Sequence, residues 1–512
     1  MLSVFTTAAM RKVDEISIGG NLTIGYSYML KAGMGLFDAV RGFFPDPQGV
    51  EIAIFCGKGN NGGDGYVLGR ILLDEGYSVL CYSLCDVESL SGEAKIAYSE
   101  YENRKGSSFI IDDVEDLPNL GRFSLIVDAM LGTGVKGDPH GLYALVIEAI
   151  NASGVKVIAV DTPSGLNCDT GMPGNPCIMA NRTVAMGFPK LGQFFSPGKN
   201  SIGDLMVRDL GYPEEVVVNQ KENVYLPSLD ALRDMLPPRK IDGSKFEHGL
   251  VMQLCGSRGM AGAATLTSLA ALKSGCGMVH LAIPDSISEV MSIKVTEPVL
   301  HPVPQTSSGS SSLQAFDQLV SLSQRMDSAC IGPGLSRDGE TQQLVRKLVA
   351  NITLPCILDA DGISAYKDHA EELKNHSCDL IITPHKGEWK RLFGDLPEVP
   401  VQLIAKLRQV AAEYQMTILL KGNPSILASI DGNVYLLPYG NTSLATAGTG
   451  DVLSGIIASL LAQGASPVNA AILGAYIHGE AGVLAGEDLT EYSVLAGDLL
   501  NYISKVLKRI QR

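Results

Sequence analysis

Thr446-Ala447-Gly448-Thr449-Gly450-Asp451 runs straight into Val452-Leu453-Ser454-Gly455-Ile456-Ile457-Ala458-Ser459-Leu460-Leu461. Two glycines and two threonines predict a tight loop, and the apolar segment behind it predicts a helix. The unpaired N–H groups of that helix then face the same spot as the loop amides. Such a cradle binds anions, phosphate above all. Asp451 is the odd residue, because a carboxylate repels phosphate unless it has a task of its own. One task is to take a proton from a hydroxyl; the alternative is a helix N-cap, which Asp favours.

Composition narrows the setting. The chain has 512 residues, 46% of them hydrophobic and 19% charged, which supplies more than one core. The formal net charge is -15. Bulk charge therefore argues against nucleic acid and anionic membranes, and any phosphate must be held by local geometry. The ten cysteines are scattered, several within apolar runs, and Cys81 and Cys85 lack a second pair at zinc spacing. Free buried thiols in a reducing compartment are expected. No signal peptide and no membrane-length apolar run is visible, so a cytoplasmic protein is expected.

Working outward, the chain alternates strands and helices twice. Glu51 to Cys56, Tyr77 to Leu84, Ser124 to Asp128 and Val155 to Asp161 read as strands, Asp64 to Glu75 as a helix, and residues 8 to 41 as helical. A second series holds strands at Leu250 to Cys255, Met278 to Ile283, Ser328 to Ile331, Cys356 to Asp359, Leu380 to Thr383 and Thr417 to Lys421. Such alternation predicts parallel sheets covered by helices on both faces. Between the series, residues 211 to 247 carry four prolines and many charges and read as a linker or domain edge. The run Thr306 to Ser312 reads as a flexible surface loop.

Gly57-Lys58-Gly59-Asn60-Asn61-Gly62-Gly63-Asp64-Gly65 follows a predicted strand and opens a helix. That is the context a G-x-G-x-x-G turn needs to approach a pyrophosphate, although a plain glycine-rich turn has the same spelling. Asp128 and Asp161 each close an apolar strand, ahead of Gly132-Thr133-Gly134 and of Pro163-Ser164-Gly165. Strand C-terminal ends line the crevice of an open parallel sheet, so these loops are expected to converge. Singly, each Asp also suits a turn.

These three stretches, in this order, resemble the N-terminal domain of the bifunctional NAD(P)HX repair enzymes, which act on hydrated nicotinamide cofactors. The resemblance implies a Rossmann-like epimerase that interconverts the R and S hydrates. It assigns the hydrate to Asn60, Asn61, Gly62, Gly63, Asp64, Gly132, Thr133, Gly134, Val135, Lys136, Gly137, Asp138, Tyr143 and Asp161. It assigns a potassium ion to Asn61, Asp128 and Ser164. The carbon that inverts carries a hydroxyl beside a ring nitrogen, and Asp161 is the expected proton shuttle, with Lys136 as a helper. One stretch departs from the family. Tyr28-Met29-Leu30-Lys31-Ala32-Gly33 stands where L-M-E-N-A-G is usual. The change is expected to bear on partner or oligomer contacts more than on the ligand loops.

The second half resembles the matching ribokinase-like dehydratase domain. The stretches are Gly256 to Ala264, Gly332-Pro333-Gly334-Leu335, Leu358 to Gly362, Thr383 to Glu388, Leu420-Lys421-Gly422 and the opening Gly448 to Asp451. The resemblance implies hydrate contacts at Ala263, Gly334, His385 and Asp451, and adenine-nucleotide contacts at Lys421, Gly422, Asn423, Pro424, Ser425 and Gly450. It implies phosphorylation of the hydroxyl and elimination of phosphate, with ADP as donor, as in bacterial members, and Mg2+ beside the nucleotide. Asp451 would take the hydroxyl proton. Lys421 is either a charge for the donor phosphates or a surface group. Ala447, Ser364 and Asn423-Pro424-Ser425 depart from the usual pattern, and Pro424 lacks an N–H near the nucleotide. Trp389 is expected to pack rather than to stack on adenine.

The expectation is thus an α/β enzyme of two domains, 1–222 the epimerase and 223–512 the dehydratase. Its partners would be small molecules, with no nucleic acid and no membrane, and a homo-oligomer is expected. Two rivals remain. One is a ribokinase-like small-molecule kinase with a non-catalytic dinucleotide-sensing first domain. The other is a binding scaffold, against which Asn61, Asp128 and Ser164 count.

Overall fold

Burial on both faces explains why the strands read as continuous apolar runs rather than alternating ones. The structure is a computed structural model and describes residues 1–134, 137–239 and 241–511. It divides into two units. One comprises Ser3–Val224 with Val399–Val401; the other comprises Met1–Leu2, Tyr225–Glu398 and the chain from Gln402 onward.

The first strand, β1 (Leu2–Ser3), belongs to the sheet of the second unit. The first unit then supplies β2 (Glu51–Cys56), β3 (Ser78–Ser83), β4 (Ser107–Ile110), β5 (Leu125–Ala129), β6 (Lys156–Val160), β7 (Arg182–Met186) and β8 (Asp204–Arg208). They form a seven-stranded sheet in the order β4-β3-β2-β5-β6-β7-β8, parallel throughout. The winding reverses between β2 and β5, which is where an open parallel sheet binds ligands. This is the Rossmann-like architecture expected.

Residues 8 to 41 are helical as expected, in two helices, Thr7–Ile18 and Leu22–Phe43. Gly19, at φ 56, ends the first, and Asn21 caps the second by accepting from Thr23 N and Ile24 N. The helix expected at Asp64 starts earlier, at Asn60, so the motif's asparagines lie in its first turn.

The second unit supplies β9 (Val224–Leu226), β10 (Leu250–Leu254), β11 (Met278–Pro284), β12 (Val299–Val303), β13 (Ser328–Ile331), β14 (Cys356–Leu358), β15 (Leu380–Ile382), β16 (Thr417–Leu420), β17 (Ser425–Ala428) and β18 (Val434–Leu437). The order is β1-β9-β18-β17-β16-β15-β14-β13-β10-β11-β12. The run from β16 to β12 is parallel, and β16-β17-β18 is antiparallel. The reversal here falls between β10 and β13. This is the ribokinase-like α/β sheet expected.

Helix Thr449–Ala462 is buried on nearly every side, as a helix with apolar residues on nearly every face must be. A Cβ at its Gly455 would lie 2.3 Å from Thr267 O, so only glycine admits the neighbouring helix Ala261–Lys273 at this distance.

Of the two readings of residues 211 to 247, the domain edge holds, since the two units divide at Val224/Tyr225. The stretch is structured, with helices Glu214–Gln220 and Leu229–Met235 and strand β9, and Val224 and Leu232 are buried. One sequence expectation changes here. The serine-rich run is not a solvated loop. Thr306, Ser310, Ser311 and Ser312 are buried. Ser308 Oγ donates to Asp338 Oδ2 at 2.7 Å, and Ser310 Oγ meets Ser336 Oγ at 2.6 Å. Hydroxyls that find one another can be buried cheaply, which composition alone does not reveal.

Candidate active sites

In the first unit, a cavity of about 450 Å³ opens at the C-terminal ends of β2, β5 and β6. Asn60, Asn61, Asp64, Gly132, Thr133, Gly134, Tyr143 and Asp161 line it, so the expected convergence of the three loops occurs. Gly62, Gly63, Gly137 and Asp138 are not on its wall. Val135 and Lys136 lie outside the described residues. The motif glycines answer to close packing. A Cβ at Gly57 would lie 1.9 Å from Met130 O, and one at Gly62 would lie 2.0 Å from Gly57 O.

Asp161 follows β6 with φ 63, a left-handed conformation that a non-glycine residue adopts at a cost. Four contacts hold it there. Its N–H donates to Val184 O, and Gln193 Nε2 donates to its carbonyl. Met186 N and the Lys190 ammonium both donate to Oδ1. Lys190 is 2% exposed and also donates to Met186 O at 3.2 Å. Sequence reasoning missed Lys190. Its signal was a lysine inside the apolar run from Val184 to Phe195, where a charge needs a partner.

The helix Thr7–Ile18 was also missed as part of this site: Met10, Asp14 and Ile18 line the cavity. So do Tyr28, Met29 and Ala32. Of the residues that depart from L-M-E-N-A-G, Tyr28 is on the cavity wall, while Leu30 and Lys31, which replace Glu-Asn, are not.

Behind the wall, Asp128 is fully buried. Ser164 Oγ donates to its Oδ1 at 2.6 Å, Ser164 N to its Oδ2 at 2.7 Å and Met130 N to its Oδ1 at 3.2 Å. Asn61 Nδ2 donates to Leu131 O, and Ser164 Oγ approaches the same carbonyl. Burial pushes the Asp128 pKa up to about 6, against those hydrogen bonds. Among the described residues no cationic side chain pairs with it.

In the second unit the expected loops again meet at strand ends. Lys421 Nζ pairs with Asp359 Oδ1 at 2.8 Å and lies 3.9 Å from Glu388 Oε2. Ser454 Oγ donates to Asp359 Oδ2 at 2.7 Å. Burial opposes ionisation of Asp359, but Lys421 and the hydroxyls outweigh it and hold the carboxyl below its usual range. Lys421 is therefore an ion-paired group and not a free surface ammonium. A Cβ on Gly450 would lie 3.7 Å from both Asp359 Oδ2 and Lys421 Nζ, so the loop passes directly over the pair.

Asp451 is not the helix cap; that position belongs to Gly448, at φ 90. Burial, then Asp359, raises the Asp451 pKa to about 7, with Lys421 working the other way. Gly334 and Ala263 are neighbours, since a Cβ on Gly334 would lie 2.8 Å from Ala263 Cβ. His385 caps helix Lys386–Phe393, its Nδ1 accepting from Gly387 N and Glu388 N while its ring stays exposed. Lys421 N donates to Pro384 O, which sets His385 beside Lys421. Gly422 to Ser425 form a turn in which Ser425 Oγ donates to Gly422 O; the Asn423–Pro424 peptide is cis. Trp389 is fully buried against Phe393, a packing residue as expected. Asp359, Glu388 and Ser454 were not singled out from the sequence.

Two family models match the chain, one described as YjeF-related protein N-terminus over residues 25–192 and one as NAD(P)H-hydrate dehydratase over residues 251–505. A bifunctional NAD(P)H-hydrate repair enzyme of Moorella thermoacetica is 38% identical over 515 aligned residues, which cover 99% of this chain and 97% of that protein. Its Escherichia coli counterpart is 30% identical, covering 94% and 89%. Among solved structures, an ADP/ATP-dependent NAD(P)H-hydrate dehydratase of Bacillus subtilis, co-crystallised with ATP and Mg2+, is 28% identical. It covers 56% of this chain and 99% of its own, with a TM-score of 0.47.

Proposed function

The chain belongs to the bifunctional NAD(P)H-hydrate repair enzymes, and from that premise we propose how its two units divide the work. The enzyme epimerises R- and S-NAD(P)HX and dehydrates the S hydrate to NAD(P)H. In this reading the first unit is the epimerase and the second the dehydratase.

In the epimerase, the hydrate lies over the Asn60–Asp64 and Gly132–Gly134 loops with its hydroxyl toward Asp161. Lys190 holds the carboxylate from behind, so the charge is ready for the hydroxyl proton without reorganisation. Potassium fits Asn61, Asp128 and Ser164. These donors are oxygens, and the buried Asp128 has no cationic partner among the described residues. The ion would supply the missing positive charge and stiffen the loops.

In the dehydratase, the Gly448–Gly450 amides and Lys421 receive the phosphates of ADP, and the adenine side of the nucleotide lies along Gly422 to Ser425. Asp451 accepts the hydroxyl proton as the phosphoryl group is transferred. Phosphate then leaves in place of hydroxide, which is the poorer leaving group. The observation that carries this half is Asp451 itself. It makes no ion pair among the described residues, it faces the Asp359–Lys421 pair across Gly450, and its pKa of about 7 suits a base at working pH. Magnesium fits as an ion carried by the nucleotide, because among the described residues no group of three His, Cys, Asp or Glu side chains could hold a metal. Bound there, it would neutralise phosphate charge. The cytoplasm is the proposed setting; no helix among the described residues is long and apolar enough to cross a membrane.

The test is to incubate the full chain with mixed R and S hydrates, with ADP and ATP separately, and to follow the reduced-nicotinamide absorbance. Both epimers are expected to convert. Consumption of the S form alone removes the epimerase. A stable phosphoester in place of NAD(P)H identifies a kinase, and no conversion with either donor removes the whole reading.

A further inference from the structure

We infer that Asp14, on the N-terminal helix, is a second catalytic carboxyl of the epimerising unit, the proton donor that faces the Asp161–Lys190 pair across the cavity. The inference rests on the epimerase reading above.

The helix that carries Asp14 is not a loose terminus. Thr6 N donates to Glu222 Oε2 at 2.7 Å, and Thr7 N donates to Asp169 Oδ1 at 2.7 Å. Carboxylates thus sit where the helix dipole favours them. Val13 is buried in a cluster with Phe5 and Met10, which anchors the helix, and Asp14 stands on the cavity wall with Met10 and Ile18. Tyr212, on the same wall, donates its phenolic hydrogen to Asp14 Oδ1. Tyr212 is itself fixed between Tyr28 and Phe188, with ring centroids 4.8 and 6.4 Å away. The hydrogen bond occupies Oδ1 and leaves Oδ2 for a transferable proton.

Charge then divides the roles. Asp14, Asp64 and Asp161 share one cavity wall with Arg11, Lys58 and Lys190, and among the described residues only Lys190 is ion-paired with one of the three carboxyls, Asp161. The two carboxyls left without an ion pair do not ionise readily beside a third. Burial first, and then the neighbouring carboxylates, raise the pKa of both Asp14 and Asp64. A carboxyl that keeps its proton, on the same wall as a carboxylate held by an ammonium, supplies an acid beside a base. Asp64 sits in the second turn of helix Asn60–Asp74, and its place in this reading is to bind the hydrate. Asp14 has the tyrosine hydroxyl that extends its reach.

The step balances. Asp161 takes the proton of the hydroxyl on the carbon that inverts, and that C–O bond becomes C=O. The bond from this carbon to the ring nitrogen breaks, its electron pair going to nitrogen, and Asp14 gives nitrogen a proton. Rotation of the freed aldehyde presents its other face. Nitrogen adds back, its proton returns to Asp14, and Asp161 returns its proton to oxygen. No water, electron or net proton is consumed.

The experiment uses the full chain and purified R hydrate, with chromatographic separation of the epimers and subtraction of spontaneous epimerisation. Asp14→Asn is expected to lower the epimerisation kcat by about 10²-fold with KM within about threefold. The same preparation should dehydrate S hydrate at the wild-type rate, which reports an intact chain. Tyr212→Phe, which keeps the ring and removes only the hydroxyl, should lower kcat by about tenfold, a size set by one lost hydrogen bond. Asp64→Asn should act mainly on KM. In ¹⁸O-water the hydroxyl oxygen should be retained in early turnovers. Wild-type kcat in Asp14→Asn, a loss confined to KM, or ¹⁸O uptake at every turnover overturns the inference alone. A wild-type chain that leaves the R hydrate untouched overturns the epimerase reading and the inference with it.

Discussion

Each unit holds a buried aspartate–lysine pair, and the two pairs face opposite ways. In the first unit the lysine is the hidden member: the Lys190 side chain is 2% exposed and that of Asp161 15%. In the second the aspartate is hidden: the Asp359 side chain is 2% exposed and that of Lys421 23%. One pair therefore presents a carboxylate to its ligand, with an ammonium behind it. The other presents an ammonium, with a carboxylate behind it, and adds the unpaired Asp451. Proton shuttling needs the first arrangement. Phosphoryl transfer needs the second, where positive charge meets phosphate and a separate base meets the hydroxyl. Both centres also carry a non-glycine residue at positive φ just after a strand, Asp161 at 63 and Ala360 at 51. Strain of this kind persists only where the surroundings over-determine it.

Substitution at the reacting aspartates tests this contrast most strongly. Asp451→Asn is expected to lower S-hydrate dehydration by about 10³-fold or more, with nucleotide affinity within about threefold and epimerisation unchanged. Single-turnover kinetics beside nucleotide titration would measure both. Equal losses would make Asp451 architectural. Asp161→Asn should lower epimerisation by roughly 10²–10³-fold and leave dehydration of S hydrate intact. If both activities fall together, the two units do not work separately.

A stability effect comes next. The folded pKa of Asp451 is about 7, above its unfolded value of about 3.9. The folded chain thus binds this proton more tightly, and the associated stability is present below about pH 4 and lost as pH rises through about 7. Asp451→Asn, neutral at every pH, should melt with wild type at pH 4 and several degrees higher at pH 8. Scanning calorimetry at the two pH values would show it, and an equal shift at both would remove the charge explanation. The smallest expected effect concerns Asp128. Replacing potassium by choline at constant ionic strength should lower the melting temperature of the first unit by a degree or two, and Asp128→Asn should abolish the difference. A potassium effect that survives Asp128→Asn would place the ion elsewhere.

Much of the fold was legible because parallel strands buried on both faces spell themselves as apolar runs, as Glu51–Cys56 and Ser328–Ile331 do. Asp128 and Asp161 were legible for a related reason, since each closes such a run where the crevice lies, and Asp451 because a glycine-rich turn precedes it. What escaped were partners distant along the chain. Lys190 meets Asp161 across 29 positions, Ser454 meets Asp359 across 95, and Tyr212 meets Asp14 across 198. None belongs to a glycine-rich turn, so no local spelling marks it. The serine-rich turn misled in the opposite direction, because Ser308 and Ser310 find partners at Asp338 and Ser336, residues remote along the chain.

The strands themselves, the loops at their ends and the identity of Asp451 and Asp161 were thus set locally, by residue type and hydrophobic period. Which charge stands behind which, why Asp451 holds its proton near neutrality, and how the first helix comes to wall a cavity were decided by folding alone. Those properties depend on desolvation and on distances of a few ångströms between remote residues, and a linear chain contains neither until it has packed.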